Sequence, residues 1–257
     1  MIRGVWLAFL LWTLGGPLRA WALWPYATEP ASTLPEGTYS VSVGVGRTWQ
    51  DSRWLRGGRG TLWTLPEVEA RLGVGPHAEV SAYYEYLAFR GGGRSAWVYD
   101  SGDLRLWTKL GVLPRLLRGL SLRFGMKLPN ASEREGLGTD ETDVFLVGLW
   151  EARLGRLELN LNGGLGLLGN PNKKASQDDV FVWAGSVRLR MGGGWLLGTE
   201  AYGYSGPFGL HRKRDFATLA AVVSWCRGPW ALGLAGRRGV QDALGWGWVL
   251  GVTFSGR

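Results

Sequence analysis

The segment that decides the fold carries two alternating stretches, LSLRFGMKL at residues 120–128 and LELNLNGGL at residues 157–165. In each, apolar residues alternate with charged, amide-bearing or small residues. A period of two indicates β-strands with one apolar and one polar face. A soluble sheet of this kind needs a second layer over its apolar face, and no stretch of helical periodicity supplies one. A closed barrel with lipid outside and water inside fits the pattern best.

The same alternation recurs along the chain, and the connections alternate between long and short. We therefore predict an all-β fold: a transmembrane antiparallel up-and-down β-barrel of about 12 strands over residues 38–257, with short periplasmic turns and long extracellular loops. The weakest alternation lies at residues 143–153, where Phe145, Val147 and Leu149 would point inward. That departure predicts either a plug packed against this strand or a β-bulge.

The first 22 residues have the features of a cleaved signal peptide, with Arg3 before an apolar run and Ala20-Trp21-Ala22 at the cleavage site. Residues 23–37, which include three prolines, predict an extended and irregular leader. Export together with a barrel predicts the bacterial outer membrane of a Gram-negative cell. Cys226 is the single cysteine, so an internal disulfide is excluded.

The composition indicates partners at a membrane. The chain has 16 tryptophans and a net charge of +8. Its basic residues are spread along strands and loops, which argues against nucleic acid and favours outer-membrane lipids and lipopolysaccharide. Indole rings prefer the head-group level. We expect a periplasmic girdle and an outer girdle, formed respectively by Trp195, Trp225 and Trp230 and by Trp49 and Trp246.

Strand parity assigns side chains to the two faces. Six residues are expected to contact lipid: Leu122, Phe124, Leu159, Leu161, Trp183 and Leu250. Ten are expected to line the lumen: Arg105, Lys109, Arg123, Lys127, Glu79, Glu85, Glu158, Asn160, Arg188 and Glu200. Because the inward charges nearly balance, the interior is either filled by ion pairs or is a conducting lumen with a mild preference for anions.

Catalytic chemistry has little support in the sequence. The two histidines, His77 and His211, fall on opposite sides of the predicted membrane, and clusters typical of metal ligands are missing. We therefore predict a non-enzymatic channel or transporter without cofactor or metal, passing a small solute. The alternatives are a lipid-modifying enzyme of the lipase or deacylase type and a closed structural barrel.

Short motifs resemble a family of outer-membrane transporters named for the meta-cleavage pathway of phenol degradation. The resemblance spans about residues 34–254 and rests on the following motifs: Gly102-Asp103-Leu104-Arg105, Lys127-Leu128-Pro129, Gly136-Leu137-Gly138-Thr139 with Asp143, Asn170-Pro171, and Arg237-Arg238-Gly239 to Asp242. It implies a barrel that passes small, hydrophobic or aromatic molecules. The last strand, ending at Phe254, also resembles the signal read by the outer-membrane assembly machinery, although three residues follow it.

Overall fold

The protein is described by a computed structural model over residues 25–50, 59–91, 96–112, 119–135, 137–169, 176–206, 215–241 and 245–257. The predicted signal peptide, residues 1–22, lies outside the described residues. The strands are β1 Tyr39–Gln50, β2 Gly60–Gly75, β3 Ala78–Gly91, β4 Val98–Ser101, β5 Leu104–Gly111, β6 Leu120–Leu128, β7 Asp143–Leu154, β8 Leu157–Gly169, β9 Gln177–Arg190, β10 Trp195–Ser205, β11 Phe216–Arg227, β12 Trp230–Gln241 and β13 Trp246–Gly256. None of the described residues forms a helix long and apolar enough to cross a membrane.

The strands close into a barrel. Strands that are adjacent in the sequence pair antiparallel, except β4 with β5, and β1 pairs with β13 from Tyr39 opposite Gly256 to Trp49 opposite Trp246. β4 and β5 both pair with β3, end to end, and are interrupted at Gly102-Asp103. They form one wall position, so the barrel has twelve. The predicted fold is confirmed: β1 and β13 close the barrel, and among the described strands β4 alone pairs on one side only, with β3.

The faces follow the alternation in the sequence. Leu122, Phe124, Leu161 and Leu250 are 37–56% exposed on the outer face, whereas Arg188 and Asn160 are 1% and 0% exposed inside. Leu159 and Trp183 share the parity of these outward residues and are half-buried. Hydrophobic residues therefore cover the outside of this barrel and polar residues its interior, the reverse of a soluble fold.

Two ends of the barrel are distinguished by their connections. The short-turn end carries Tyr39, Gly256 and the connections 76–77, 112–119, 155–156, 191–194 and 228–229, and the long-loop end carries 51–59, 92–97, 129–142, 170–176, 206–215 and 242–245. The strand β12 continues through Gln241, and the short strand β4 forms between connection 92–97 and Gly102. In both places strand pairing extends past the point where Gly and Arg weaken the alternation.

The chain before β1 lies inside the barrel. Residues 25–38, here called the plug, form no regular element, and Thr28, Ala31 and Leu34 are at most 3% exposed. Ala31 packs against Phe145, Val147, and Leu149 of β7. Of the two explanations for the inward apolar residues of this strand, the plug is therefore confirmed.

A lipid-facing arginine should destabilise the barrel in a depth-dependent way. Leu161 projects outward from the interior of β8 and is 56% exposed, whereas Leu154 is 63% exposed beside a turn at the end of β7. We expect Leu161→Arg to lower the free energy of unfolding by about 2–4 kcal/mol and Leu154→Arg by about 0–1 kcal/mol. Denaturant titration in lipid vesicles measures both. Equal effects would contradict the placement of Leu161 at mid-depth.

Candidate functional site: the plugged lumen

The plug contacts the wall around more than half of the barrel. It begins against β10, where the amides of Ala27 and Thr28 donate to Glu200 at 3.0 and 2.8 Å. It then passes β8 to β5, and the amide of Leu34 donates to Glu79 of β3 at 2.8 Å. The path ends beside β2, at Gly73. The plug thus crosses the lumen at the short-turn end.

Two glycines make room for the plug. A Cβ at Gly73 would collide with the carbonyl oxygen of Pro35, and the amide of Gly73 donates to the carbonyl of Thr38 at 2.9 Å. A Cβ at Gly198 would lie 2.5 Å from the hydroxyl of Tyr26. A larger residue at Gly73 would push the plug backbone away from the wall, and one at Gly198 would displace the ring of Tyr26.

Glu29 is the centre of the plug's attachment. Its carboxylate lies 2.7 Å from Nη1 of Arg71, 2.7 Å from Nζ of Lys109 and 3.6 Å from Nη1 of Arg123. Its amide donates to Oδ1 of Asn162 at 2.8 Å, and its carbonyl accepts from Nδ2 of the same side chain at 2.7 Å. One plug residue therefore joins four strands of the wall.

The electrostatics of the site favour a charged Glu29. Burial alone would raise its pKa, but Arg71, Lys109 and Arg123 hold the pKa of this carboxyl well below its ordinary value. Tyr26 lies beneath the guanidinium of Arg188, 4.0 Å from Cζ to the ring centroid, and burial raises the pKa of its hydroxyl to about 12. Tyr26 and Glu29 of the plug thus keep a fixed charge state at neutral pH.

A second group of charges secures the start of the plug. Arg188 lies 3.2 Å from Glu158 and donates to the carbonyl of Thr28 at 2.6 Å. Asn160, beside it, donates to Ser186 at 3.3 Å. Glu158, Asn160, Arg188 and Glu200 were all expected to line a lumen. They lie inside the barrel, where they hold the plug or its immediate neighbours.

The remaining expected lumen residues form ion pairs inside the barrel. Glu79 contacts Lys109 at 3.3 Å, and Arg105 contacts Glu85 at 3.3 Å. Lys127, nearer the long-loop end, contacts Asp143 at 2.9 Å and Asp103 at 3.3 Å. The four bases at positions 105, 109, 123 and 127 thus line one wall, and each has an acidic partner.

Above the plug lies a cavity of about 580 Å³. Its lining includes five basic and three acidic residues, namely Arg71, Arg105, Arg123, Lys127 and Arg237 with Glu29, Glu69 and Asp143. On another side it is aromatic: successive ring centroids of Trp107, Phe145, Tyr204 and Phe216 are 5.4, 6.2 and 4.7 Å apart. The guanidinium of Arg123 lies 4.1 Å above Trp107, where the two sides meet. The cavity therefore offers both flat apolar contact and positive charge.

Sequence reasoning missed the residues that define this site. Glu29, Tyr26 and Trp107 were not candidates, because a leader without periodicity gives no signal of where it folds. The inward run of Phe145, Val147 and Leu149 was the one signal of a plug. His77 lies in the turn after β2, His211 lies outside the described residues, and the described part of the chain holds no cluster of three His, Cys, Asp or Glu residues suited to a metal.

Comparison with solved structures supports the architecture. An outer membrane channel from Pseudomonas putida F1 superposes with a TM-score of 0.66 at 14% sequence identity, covering 88% of this chain and 98% of the other. The NanC porin superposes with a TM-score of 0.54, also at 14% identity, covering 83% and 98%. The shared feature is the barrel fold. No protein-family model matches the chain, and no curated protein matches its sequence. No sequence match, then, supports the resemblance to the phenol meta-cleavage family.

Proposed function

We propose that this protein is an outer-membrane channel through which small solutes pass passively. In the resting state the plug closes the lumen of the channel. The observation that supports this most strongly is the cavity of about 580 Å³, which lies inside a closed barrel directly above the plug. A barrel of twelve strands is wider than the eight-stranded barrels that side chains fill, and narrower than 16-stranded porins. Its capacity suits one small molecule at a time.

The nature of the plug's contacts suits a removable closure. It is attached through hydrogen bonds and ion pairs from Ala27, Thr28, Glu29 and Leu34 to side chains of the wall. Water can replace the hydrogen bonds when the segment leaves, so the net contribution of these bonds to docking is modest. A plug attached in this way can exchange with an open state.

The lining favours a solute with an aromatic or flat apolar body and a negative or zwitterionic group. The row of rings from Trp107 to Phe216 can stack on such a body. Basic residues outnumber acidic ones by five to three in the cavity, and Arg123 lies next to the rings. The proposed solute is therefore the small, hydrophobic or aromatic molecule expected from the sequence, with a negative or zwitterionic group in addition.

The cellular setting belongs to the same proposal. Residues 1–22 would direct export and be removed, and the long loops would face outward. The partners would be outer-membrane lipids, lipopolysaccharide and the assembly machinery that reads the last strand. The protein would act without catalysis, cofactor or nucleic acid.

One observation favours a closed structural barrel instead. The cations at 105, 109, 123 and 127 all have acidic partners inside the barrel. Ion pairs that fill an interior could stabilise a barrel that never opens. The two functions differ in a measurable way, because only a channel conducts once its plug is released.

Planar-bilayer recording of the purified full chain tests the proposal. Wild type should show low conductance with brief openings, and Glu29→Gln and Gly73→Val should open for longer. If neither wild type nor either variant conducts or passes solute into liposomes, the closed barrel is correct. Hydrolysis of phospholipid or lipid A by such a non-conducting protein would instead support the enzyme.

Solute preference is tested with zwitterions, which do not cross lipid unaided. In liposomes containing the Glu29→Gln protein, the ratio of the entry rate of L-phenylalanine to that of L-leucine should be higher than the larger size of phenylalanine would predict. Trp107→Ala should abolish that advantage, because it removes the first ring of the row. Trp195→Ala, on the outer face, is the matched control and should preserve it. An advantage that survives Trp107→Ala would exclude stacking on this row.

A further inference from the structure

The outer face carries an arginine surrounded by tryptophans near the long-loop end. Arg47 has the parity of the exposed Val41 and Val43. Its cross-strand partners are Trp63 on β2 and Trp248 on β13. The guanidinium carbon lies 4.1 Å from the ring centroid of Trp49 and 5.2 Å from that of Trp63. Aromatic faces thus hold this cation on the side of the barrel that faces lipid.

The tryptophans themselves form one cluster. Trp49 stacks on Trp246 with centroids 3.8 Å apart, and Trp63 meets Trp248 edge to face at 5.9 Å. Four rings so close together fix the arginine's position and shield its stem. A long charged side chain at the membrane boundary usually extends toward the head groups. Here the rings keep it at the level that indoles prefer.

The cluster contains a second arginine and no acid. One outward row across four strands reads Trp63, Arg47, Trp248 and Gly236, and the next reads Thr61, Trp49, Trp246 and Arg238. Arg47 and Arg238 are two strands apart, about 10 Å in the hydrogen-bonding direction. Nε of Arg47 is buried and has no hydrogen-bond partner among the described residues. Neither row supplies a counter-ion.

We propose that Arg47, Arg238 and the four tryptophans form a binding site for the phosphate groups of lipid A in the outer leaflet. An arginine fork matches phosphate geometry, and the spacing of the two arginines allows both to contact one bisphosphorylated head group. The indole rings would lie against the sugar backbone and the first carbons of the acyl chains. The site rests on the proposed outer-membrane location and does not depend on conduction.

Native mass spectrometry of the full chain with added lipid tests the site. Bisphosphorylated lipid A should be retained more strongly than phosphatidylglycerol, and phosphatidylcholine least. Arg47→Gln should lower lipid A retention about fivefold, which corresponds to the roughly 1 kcal/mol of one arginine near an anionic surface. Arg47→Lys should keep part of the retention, because it keeps the charge and loses the fork.

The matched control is Arg227→Gln, which removes one charge beside Trp230 at the opposite end of the outer face. It should leave lipid A retention unchanged. An equal loss in both variants, or equal retention of phosphatidylglycerol and lipid A by wild type, would overturn the site. Folding of each variant is checked by its heat-dependent mobility in gels. The lipid A measurement does not depend on conductance. A negative result for the lipid A site is therefore distinguishable from a negative result for the proposed channel.

Discussion

Glu29→Gln is expected to convert a mostly closed barrel into one that conducts for much of the time. The substitution keeps the size of the side chain and removes the charge that Arg71, Lys109 and Arg123 share. These three cations then repel one another without a counter-ion in the plug. A loss of about 3 kcal/mol in docking free energy would raise the ratio of open to closed states about 100-fold. Single-channel recording measures this ratio directly.

Two further variants separate release of the plug from a general loss of charge. Glu36→Gln removes the same charge from an exposed position of the same segment and should conduct like wild type. Gly73→Val changes no charge but collides with the carbonyl of Pro35, and should open the barrel as Glu29→Gln does. A Ser32→Cys probe in a Cys226→Ser background should become accessible to maleimide in both opening variants. Accessible probes without increased conductance would show that the plug is not the barrier.

Acid should leave the wild-type plug docked over a wide range. The pKa of Glu29 is depressed when docked, so its contribution is complete above the ordinary pKa of a released glutamate and is lost only as pH falls through the lower docked pKa. Conductance should therefore stay constant from pH 7 to about pH 5. An increase within that window would mean that another group controls release.

Much of this fold follows from strand parity alone. The alternation of Ser121, Arg123 and Lys127 with apolar residues predicts which face each side chain occupies, because successive Cβ atoms of a strand point to opposite sides. Phe145, Val147 and Leu149 point inward as parity requires, but they are apolar where many of the other inward residues are polar. An inward apolar row in a polar lumen needs an apolar partner, which Ala31 of the plug supplies.

The candidate site could be predicted only in part. The wall bases at positions 105, 109, 123 and 127 follow from parity, but their partners do not. Glu29 precedes the first strand, and nothing in a proline-rich leader specifies a place in space. Its position depends on long-range pairing with Arg71 and on the room left by Gly73 and Gly198. Such contacts arise from the closed barrel and leave no periodic trace in the sequence.

Arg71→Met is expected to cause the largest loss of stability among single substitutions in the lumen. Arg71 is 7% exposed, and its guanidinium contacts three carboxylates: Glu29 at 2.7 Å, Glu69 at 2.7 Å and Glu79 at 3.2 Å. Methionine fills similar space but leaves these acids crowded and without their main counter-ion. Breaking a buried ion pair from one side typically costs about 3–5 kcal/mol. We expect a decrease in that range in the free energy of unfolding.

Arg190→Met is the matched control. This arginine also pairs with a carboxylate, Glu158 at 2.9 Å, but its side chain is 48% exposed at the barrel's end. Solvent screens such a pair, so the same substitution should cost less than about 1 kcal/mol. Denaturant titration in lipid vesicles compares the two. Similar effects at both positions would show that burial of Arg71 does not matter to stability.

The double variant locates the source of the loss. If much of the cost of Arg71→Met comes from the stranded charge of Glu29, then adding Glu29→Gln should recover part of it, and the two changes should be non-additive by about 1 kcal/mol or more. Strict additivity would assign the loss to Glu69 and Glu79 on the wall. Non-additivity would instead show that the plug and the wall are stabilised through one shared ionic cluster, which is the contact a channel must break in order to open.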